Sequence, residues 1–156
     1  MNQINYTSGG IELIDVIEPL WLTLNKLHQA SSPYFADSFN HRTFAERKKM
    51  LVNRLPENTI RIDIAHLGHI KDVVAYCISS VDSKKVGEID SLFVLEPYRR
   101  QGIARHLMST AHAWMDSLDV VRKIVVVSYG NDQALEFYKK LGFFPANYEL
   151  QFKNNK

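Results

Sequence analysis

The strongest constraint in this chain is a change of hydrophobic period near residue 60. Before it, apolar residues recur in steps of three and four; after it, three strand patterns follow one another. Ile60, Ile62 and Ile64 alternate with Arg61 and Asp63, which predicts a strand with one polar face. Val73 to Val81 predicts a second strand and Val86 to Leu95 a third. The connections, near Gly68 and at Asp82-Ser83-Lys84-Lys85, are short enough for antiparallel hairpins. A helical stripe follows over about Gln101 to Leu118, through Ile103, Leu107, Ala111, Trp114 and Leu118. Lys123 to Tyr129 then holds Ile124-Val125-Val126-Val127, a continuous apolar run that suits a strand covered on both faces. A helix from about Asp132 to Leu141 ends at Gly142, and a last strand is expected within Tyr148 to Lys153.

Upstream, Ile4 to Thr7 predicts a short strand. Leu13, Ile14, Ile17, Leu20, Trp21, Leu24 and Leu27 mark an amphipathic helix over about Ile11 to His28, which Pro19 either breaks or kinks. A second helix, His41 to Leu55, is expected to turn Phe44, Met50, Leu51 and Leu55 inward, with Arg47-Lys48-Lys49 on a solvated face. The order β-α-α-β-β-β-α-β-α-β implies an α+β (mixed α/β) fold. Its sheet is mixed and mostly antiparallel, flanked by helices, with one parallel junction.

Size and composition narrow the class without naming a chemistry. With 156 residues, the chain is expected to form a single domain over residues 1–156. It can bury a core without disulfide or metal staples. Cys77 is the one cysteine, so no intrachain disulfide is possible. That fits a reducing, cytoplasmic setting, as it would a disulfide-free secreted protein. Met1 to Tyr6 carries no signal-peptide pattern. No apolar run approaches the roughly 20 residues of a membrane-spanning helix, so no membrane partner is expected. The net charge of +2 is too mild to predict a nucleic-acid partner, although a basic stretch lies at residues 42–54.

Candidate chemistry concentrates between Gly87 and Arg105. A strand runs into a turn at Pro97, and a helix starts near Gln101 or Gly102. A helix N-terminus leaves backbone N–H groups without partners and favours an anion. Gly102 has no Cβ to keep a ligand from the backbone, and Ala104 is nearly as small. Arg99, Arg100 and Arg105 add positive charge. The combination predicts a pyrophosphate cradle. Neither the P-loop nor the dinucleotide-binding fingerprint is present.

At these residues the chain resembles the GCN5-related N-acetyltransferase (GNAT) superfamily. The family pattern [R/Q]-x-x-G-x-[G/A] appears as Arg99-Arg100-Gln101-Gly102-Ile103-Ala104, after Leu92-Phe93-Val94 and Pro97. A later family signature, N-x-x-A-x-x-F-Y-x-K-x-G-F, is matched by Asn131, Ala134, Phe137, Tyr138, Lys140, Gly142 and Phe143. The two segments span about the C-terminal half of the chain.

The resemblance implies a GNAT-like fold that binds acetyl-CoA where two parallel strands splay apart, here Gly87 to Leu95 and Lys123 to Tyr129. It implies that Leu92, Phe93 and Val94 present backbone to the pantetheine arm. The N–H groups of Arg100, Gln101, Gly102, Ile103, Ala104 and Arg105 would hold the pyrophosphate, with Arg99 beside them. Asn131 would contact the pantetheine or phosphate region, Ala134 would lie on the same helical face, and Lys140 would reach the 3′-phosphate. The implied reaction is acetyl transfer to a primary amine by direct attack in a ternary complex. Tyr138 then stands where many members carry the acid that protonates the departing thiolate. Glu88, with Asp90 as alternative or a water relay, stands where some carry the base. Glu88 and Asp90 share a face of a regular strand, and a bulge between them would break that parity.

A non-catalytic CoA-binding sensor on the same fold is the alternative, against which Tyr138 and Glu88 argue. The acceptor, a small-molecule or protein amine, is not specified, and a homodimer is possible. Glu88 and Asp90 hint at a cationic acceptor. His66 and His69 have no Cys or carboxylate to complete a metal set, so no metal is expected. His106 and His112 read as surface or boundary residues, and Cys77, Trp21 and Trp114 as core. Tyr34, Phe35 and Phe39 either line the acceptor pocket or pack as a loop on the core.

Overall fold

The computed structural model describes residues 3–154. Strand β1 (Ile4–Gly9) leads through a 3₁₀ segment, Ile11–Ile17, into helix α1 (Glu18–Ser31) and then α2 (Phe44–Arg54). Three strands follow: β2 (Thr59–Leu67), β3 (Val73–Val81) and β4 (Val86–Val94). Helix α3 (Ile103–Ser117), strand β5 (Arg122–Val125) and helix α4 (Asp132–Lys140) complete the fold. The sheet order is β1-β2-β3-β4-β5, antiparallel throughout except at the parallel β4–β5 junction. The expected mixed sheet and its parallel junction are therefore present.

Each face of the sheet carries its own core. On one, Ile14, Ile17, Leu20 and Trp21 with Phe44 and Leu51 of α2 pack on Ile62, Ile64 and Tyr76. On the other, Leu107, Met108, Ala111 and Met115 of α3 and Tyr138 of α4 pack on Ala75, Cys77 and Ile89. Strand β3 feeds both, and all nine of its residues are buried. Cys77 is fully buried within the second core.

Local sequence explains where the helices start. The helical stretch expected over Ile11 to His28 divides beside Pro19: the 3₁₀ segment ends at Ile17, and Pro19 lies in the first turn of α1, where its missing N–H costs nothing. Thr43 caps α2 in a reciprocal box with Glu46, so that helix begins at Phe44 rather than His41. Met50 is not inward: it is 54% exposed.

Two strand expectations need correction. Strand β5 stops at Val125, and Val126 onward leaves the ladder. No strand forms within Tyr148 to Lys153, where the alternating Tyr148, Leu150 and Phe152 are all exposed. Alternation sets the face a strand would present, but a ladder also needs a partner edge, and none is hydrogen-bonded to this segment.

The register of β4 shifts by one residue: Ser91 pairs with Ile78 but Ile89 with Ser79, leaving Asp90 as the extra residue. The parity of Glu88 and Asp90 nevertheless survives. Glu88 lies opposite Ser80, and the Ser80 hydroxyl donates to Asp90 Oδ2 at 2.6 Å, so both carboxylates share the α1–α2 face. The bulge places Ser91 there as well, where its Oγ lies 2.9 Å from the Tyr76 hydroxyl.

Candidate active site

Ladder pairing between β4 and β5 covers Val86 to Ile89 against Arg122 to Val125. Beyond it the strands part. Leu92, Phe93 and Val94 stay paired to β3 on one side and line a cleft of about 860 Å³ on the other. The far wall comes from the loop before α4. Gly130, at φ +96°, lets that loop approach the end of α1; a Cβ there would lie 2.3 Å from Ser31 O.

One end of the cleft is the N-terminus of α3. Arg100 and Gly102 have φ of +62° and +81°, so two residues of this turn sit in the left-handed region. The first bond into the helix is His106 N–H to Gly102 O at 2.9 Å. Among the described residues, no protein acceptor meets the N–H groups of residues 100–105. Gly102 lines the cleft, and a Cβ there would meet nothing within 4 Å. Orphan donors at a helix start fit an anionic ligand such as a pyrophosphate.

The side chains around this turn divide the work. Arg100, Ile103, Ala104 and Arg105 line the cleft. Arg99 also lines it, but its Nε donates to Val94 O at 2.9 Å and its guanidinium lies 5.6 Å from the Phe93 ring centre. That holds its charge against β4. The Gln101 side chain is absent from the cleft: it donates to Pro97 O at 3.1 Å. Only its backbone N–H belongs with the orphan donors.

Helix α4 contributes Asn131, Ala134, Tyr138 and Lys140 to the same cleft. Asn131 caps the helix, accepting from Ala134 N–H at 3.2 Å through Oδ1, which leaves its amide N–H groups uncommitted. Tyr138 is 7% exposed and packs edge-on to Phe137 and Phe143, with ring centres 5.3 and 5.8 Å away. Among the described residues, no side chain or carbonyl takes up its hydroxyl. Burial pushes its pKa up, so it keeps its proton at neutral pH.

A second cavity, of about 540 Å³, lies on the α1–α2 face and contains Glu88, Asp90 and Ser91. Leu24 and His28 of α1 line both spaces. The two carboxylates differ sharply. The Asp90 side chain is 1% exposed and bound by Arg54 Nη1 at 2.5 Å and the Ser80 hydroxyl. Glu88 has no hydrogen-bond or ion-pair partner among the described residues. Burial, then the Asp90 charge, pushes its pKa up against the pull of Arg54 and Arg47. An unengaged carboxylate with a raised pKa is the better candidate base.

Other residues fall outside the site. Tyr34, Phe35 and Phe39 line neither cavity. Phe39 is buried against His28 at 5.6 Å, whereas Tyr34 stacks on Tyr129 at 5.8 Å with both rings exposed, so only the Phe39 end of the loop packs on the core. His66 Nε2 lies 3.0 Å from the Thr7 hydroxyl, and no metal-holding cluster exists among the described residues.

Three contributors escaped the sequence reading. Leu24 and Leu27 look like core positions but line the cleft, and Arg47 looks like part of a solvated face but lines the second cavity. A signal for Arg47 was present. Phe44, Arg47, Leu51 and Arg54 form one stripe in steps of three and four, so two arginines continue the buried face of α2.

Comparison with known proteins fits this architecture. The profile of the acetyltransferase (GNAT) family matches residues 24–143, most of the chain, and the chain belongs to this family. No curated protein sequence matches it significantly. Among solved structures, it is similar to the aminoglycoside 6′-N-acetyltransferase AAC(6′)-IG from Acinetobacter haemolyticus. The TM-score is 0.68 at 16% identity, over 97% of this chain and 99% of that one. It is similar also to AAC(6′)-Iy in complex with a CoA-containing bisubstrate analogue, at TM-score 0.64 and 13% identity, covering 99% of each chain. A third is the ribosomal-protein-alanine N-acetyltransferase from Brucella melitensis biovar Abortus 2308. There the TM-score is 0.65 at 12% identity, over 96% of this chain and 99% of that one. At such identities these are likenesses of fold. No helix among the described residues is long and apolar enough to cross a membrane.

Proposed function

We propose that this acetyltransferase is an N-acetyltransferase that moves an acetyl group from acetyl-CoA to a primary amine by direct attack in a ternary complex. One observation carries the reading: among the described residues, the unpartnered N–H groups of residues 100–105 adjoin a cleft that runs along β4 at Leu92 to Val94 and reaches Tyr138. Structural relatives bound to CoA or a CoA-containing analogue support the same choice of co-substrate.

In this reading the α3 N-terminus, with Arg100 and Arg105, holds the pyrophosphate. The edge of β4 at Leu92 to Val94 holds the pantetheine arm, Asn131 contacts it, and Lys140 reaches the 3′-phosphate. Acetyl-CoA supplies a thioester carbonyl. The acceptor arrives from the Glu88 cavity past Leu24 and His28. A primary amine has a pKa of about 10, so it reaches the site as an ammonium and must lose a proton to attack. Glu88 takes that proton, directly or through water, and returns it to solvent. The new C–N bond forms as the C–S bond breaks. Tyr138 gives its hydroxyl proton to the departing sulfur and is reprotonated by the second proton the nitrogen loses. Asp90 holds Arg54 and shapes the cavity. Alignment of the two substrates supplies much of the acceleration.

Calorimetry with acetyl-CoA, paired with thiol release on addition of amines, tests the reading. Binding plus amine-dependent release is expected. No binding at millimolar acetyl-CoA rejects it, and tight binding without release across a broad amine panel identifies a sensor instead.

A further inference from the structure

The second cavity carries a charge arrangement that says what kind of amine it receives. Arg54 and Asp90 neutralise each other at 2.5 Å. Two central groups of opposite sign remain uncommitted. Among the described residues Glu88 has no hydrogen-bond or ion-pair partner, and Arg47 makes one hydrogen bond, from Nη2 to the Asp90 backbone carbonyl at 3.2 Å, with no carboxylate in direct contact. Arg47 and Glu88 line the same space yet form no ion pair. A half-buried guanidinium and a half-buried carboxylate line one cavity without pairing directly, so each can still take a counter-ion.

The rim repeats this balance. Arg42 stacks on Phe39 at 4.4 Å and has no carboxylate partner among the described residues, while Glu46 accepts from Thr43 N–H at the α2 cap. Beyond the Arg54–Asp90 pair the lining therefore carries two positive and two negative groups, with the positive ones on α2 and its approach. A polycation would meet Arg42 and Arg47. A molecule with an ammonium at one end and a carboxylate at the other would satisfy Glu88 and Arg47 together.

We infer that the acceptor is a zwitterion, an amine that also carries a carboxylate, bound with its ammonium at Glu88 and its carboxylate on the Arg47 guanidinium. The inference rests on the N-acetyltransferase reading above and narrows it. It also replaces the cationic acceptor that two free carboxylates would suit, because Asp90 is not free. Arg47 is well built for this role: its planar fork can keep the Asp90 carbonyl on one N–H while offering others to a carboxylate. Leu24 and His28 line both spaces, so the cavity adjoins the cofactor cleft.

The test is steady-state thiol release with acetyl-CoA and matched acceptors: free α- and ω-amino acids, their methyl esters, spermidine and kanamycin. At least one free acid should exceed its own ester by about tenfold or more in kcat/KM, the scale expected for a charge-assisted contact. Arg47→Gln should collapse that acid-to-ester ratio toward one, chiefly through KM, and Arg47→Lys should restore part of it. Esters or polycations used as well as the free acids overturn the inference while leaving N-acetylation intact. An unchanged acid-to-ester ratio in Arg47→Gln also overturns it. Acetyl-CoA calorimetry checks that the variant is folded; if it is not, the acid-to-ester comparison in the unmodified protein decides alone. If acetyl-CoA binds but no amine in any set is acetylated, the N-acetyltransferase reading itself fails.

Discussion

The Arg54 guanidinium lies 2.5 Å from the Asp90 carboxylate, and this pair separates two acids that sit two residues apart on one strand. Asp90 is the bulged residue of β4, with its side chain in the sheet face and both oxygens engaged. Glu88 is left as the uncommitted one.

Asp90→Asn should therefore act on stability first. It keeps the shape and removes the charge that holds Arg54. Arg54 is 29% exposed and can partly turn to water, which limits the cost to about 2 kcal/mol rather than the larger penalty of a fully buried orphan. Denaturant unfolding should show this loss, while kcat of the folded fraction changes only a few-fold. A loss of kcat by about a hundredfold with unchanged stability would make Asp90 the base.

Glu88→Gln should do the reverse, lowering kcat/KM by about a hundredfold. The unmodified enzyme should show an acid limb above the ordinary carboxylate range, because burial raises the Glu88 pKa and only the ionised form can accept a proton. The limb should vanish in Glu88→Gln. The stability sign runs the other way. A raised folded-state pKa means Glu88 contributes stability that is full below its unfolded pKa and lost as pH rises through the folded one. At neutral pH the variant should melt no lower than its parent. A clear drop in melting temperature would assign Glu88 a structural role.

The contrast between these acids shows what the sequence could and could not carry. Periodicity located the α3 stripe because one face of that helix packs on a core, whereas β3, buried on both faces, was legible as a continuous apolar run. The helix start at Gly102 was legible because a strand, a turn and a small residue impose it locally. The pairing of Asp90 with Arg54 was not legible, since it joins residues far apart in the chain. The role of Arg47 was hidden for a different reason: beside Lys48 and Lys49 it reads as surface charge, although the Phe44–Leu51 stripe places it on the inward face. The tail at Tyr148 to Phe152 failed in the opposite sense, having a strand's alternation without an edge to pair with.

Gly102→Val tests the anion cradle. The position sits at φ +81°, where a β-branched residue costs about 1–2 kcal/mol, so the melting temperature should fall modestly. The added Cβ would meet no protein atom within 4 Å. Acetyl-CoA affinity should nonetheless drop by about tenfold or more, since the bulk would stand before the orphan N–H groups. Calorimetry on the folded variant separates the two effects. Unchanged affinity would remove the α3 N-terminus from the cofactor site.

Tyr138→Phe isolates the proton that the leaving sulfur needs. The ring packs against Phe137 and Phe143, and phenylalanine keeps those contacts, so stability should hold to within about 0.5 kcal/mol. Among the described residues the hydroxyl has no hydrogen-bond partner to orphan, so its removal leaves none of them unsatisfied. Acetyl-CoA affinity should be unchanged for the same reason. kcat should fall by about tenfold to a hundredfold when chemistry limits turnover. The loss should shrink with an acyl donor whose thiol is more acidic, because that leaving group needs less help from an acid. A uniform loss across donors, or none, would mean that Tyr138 serves the second core and not the reaction.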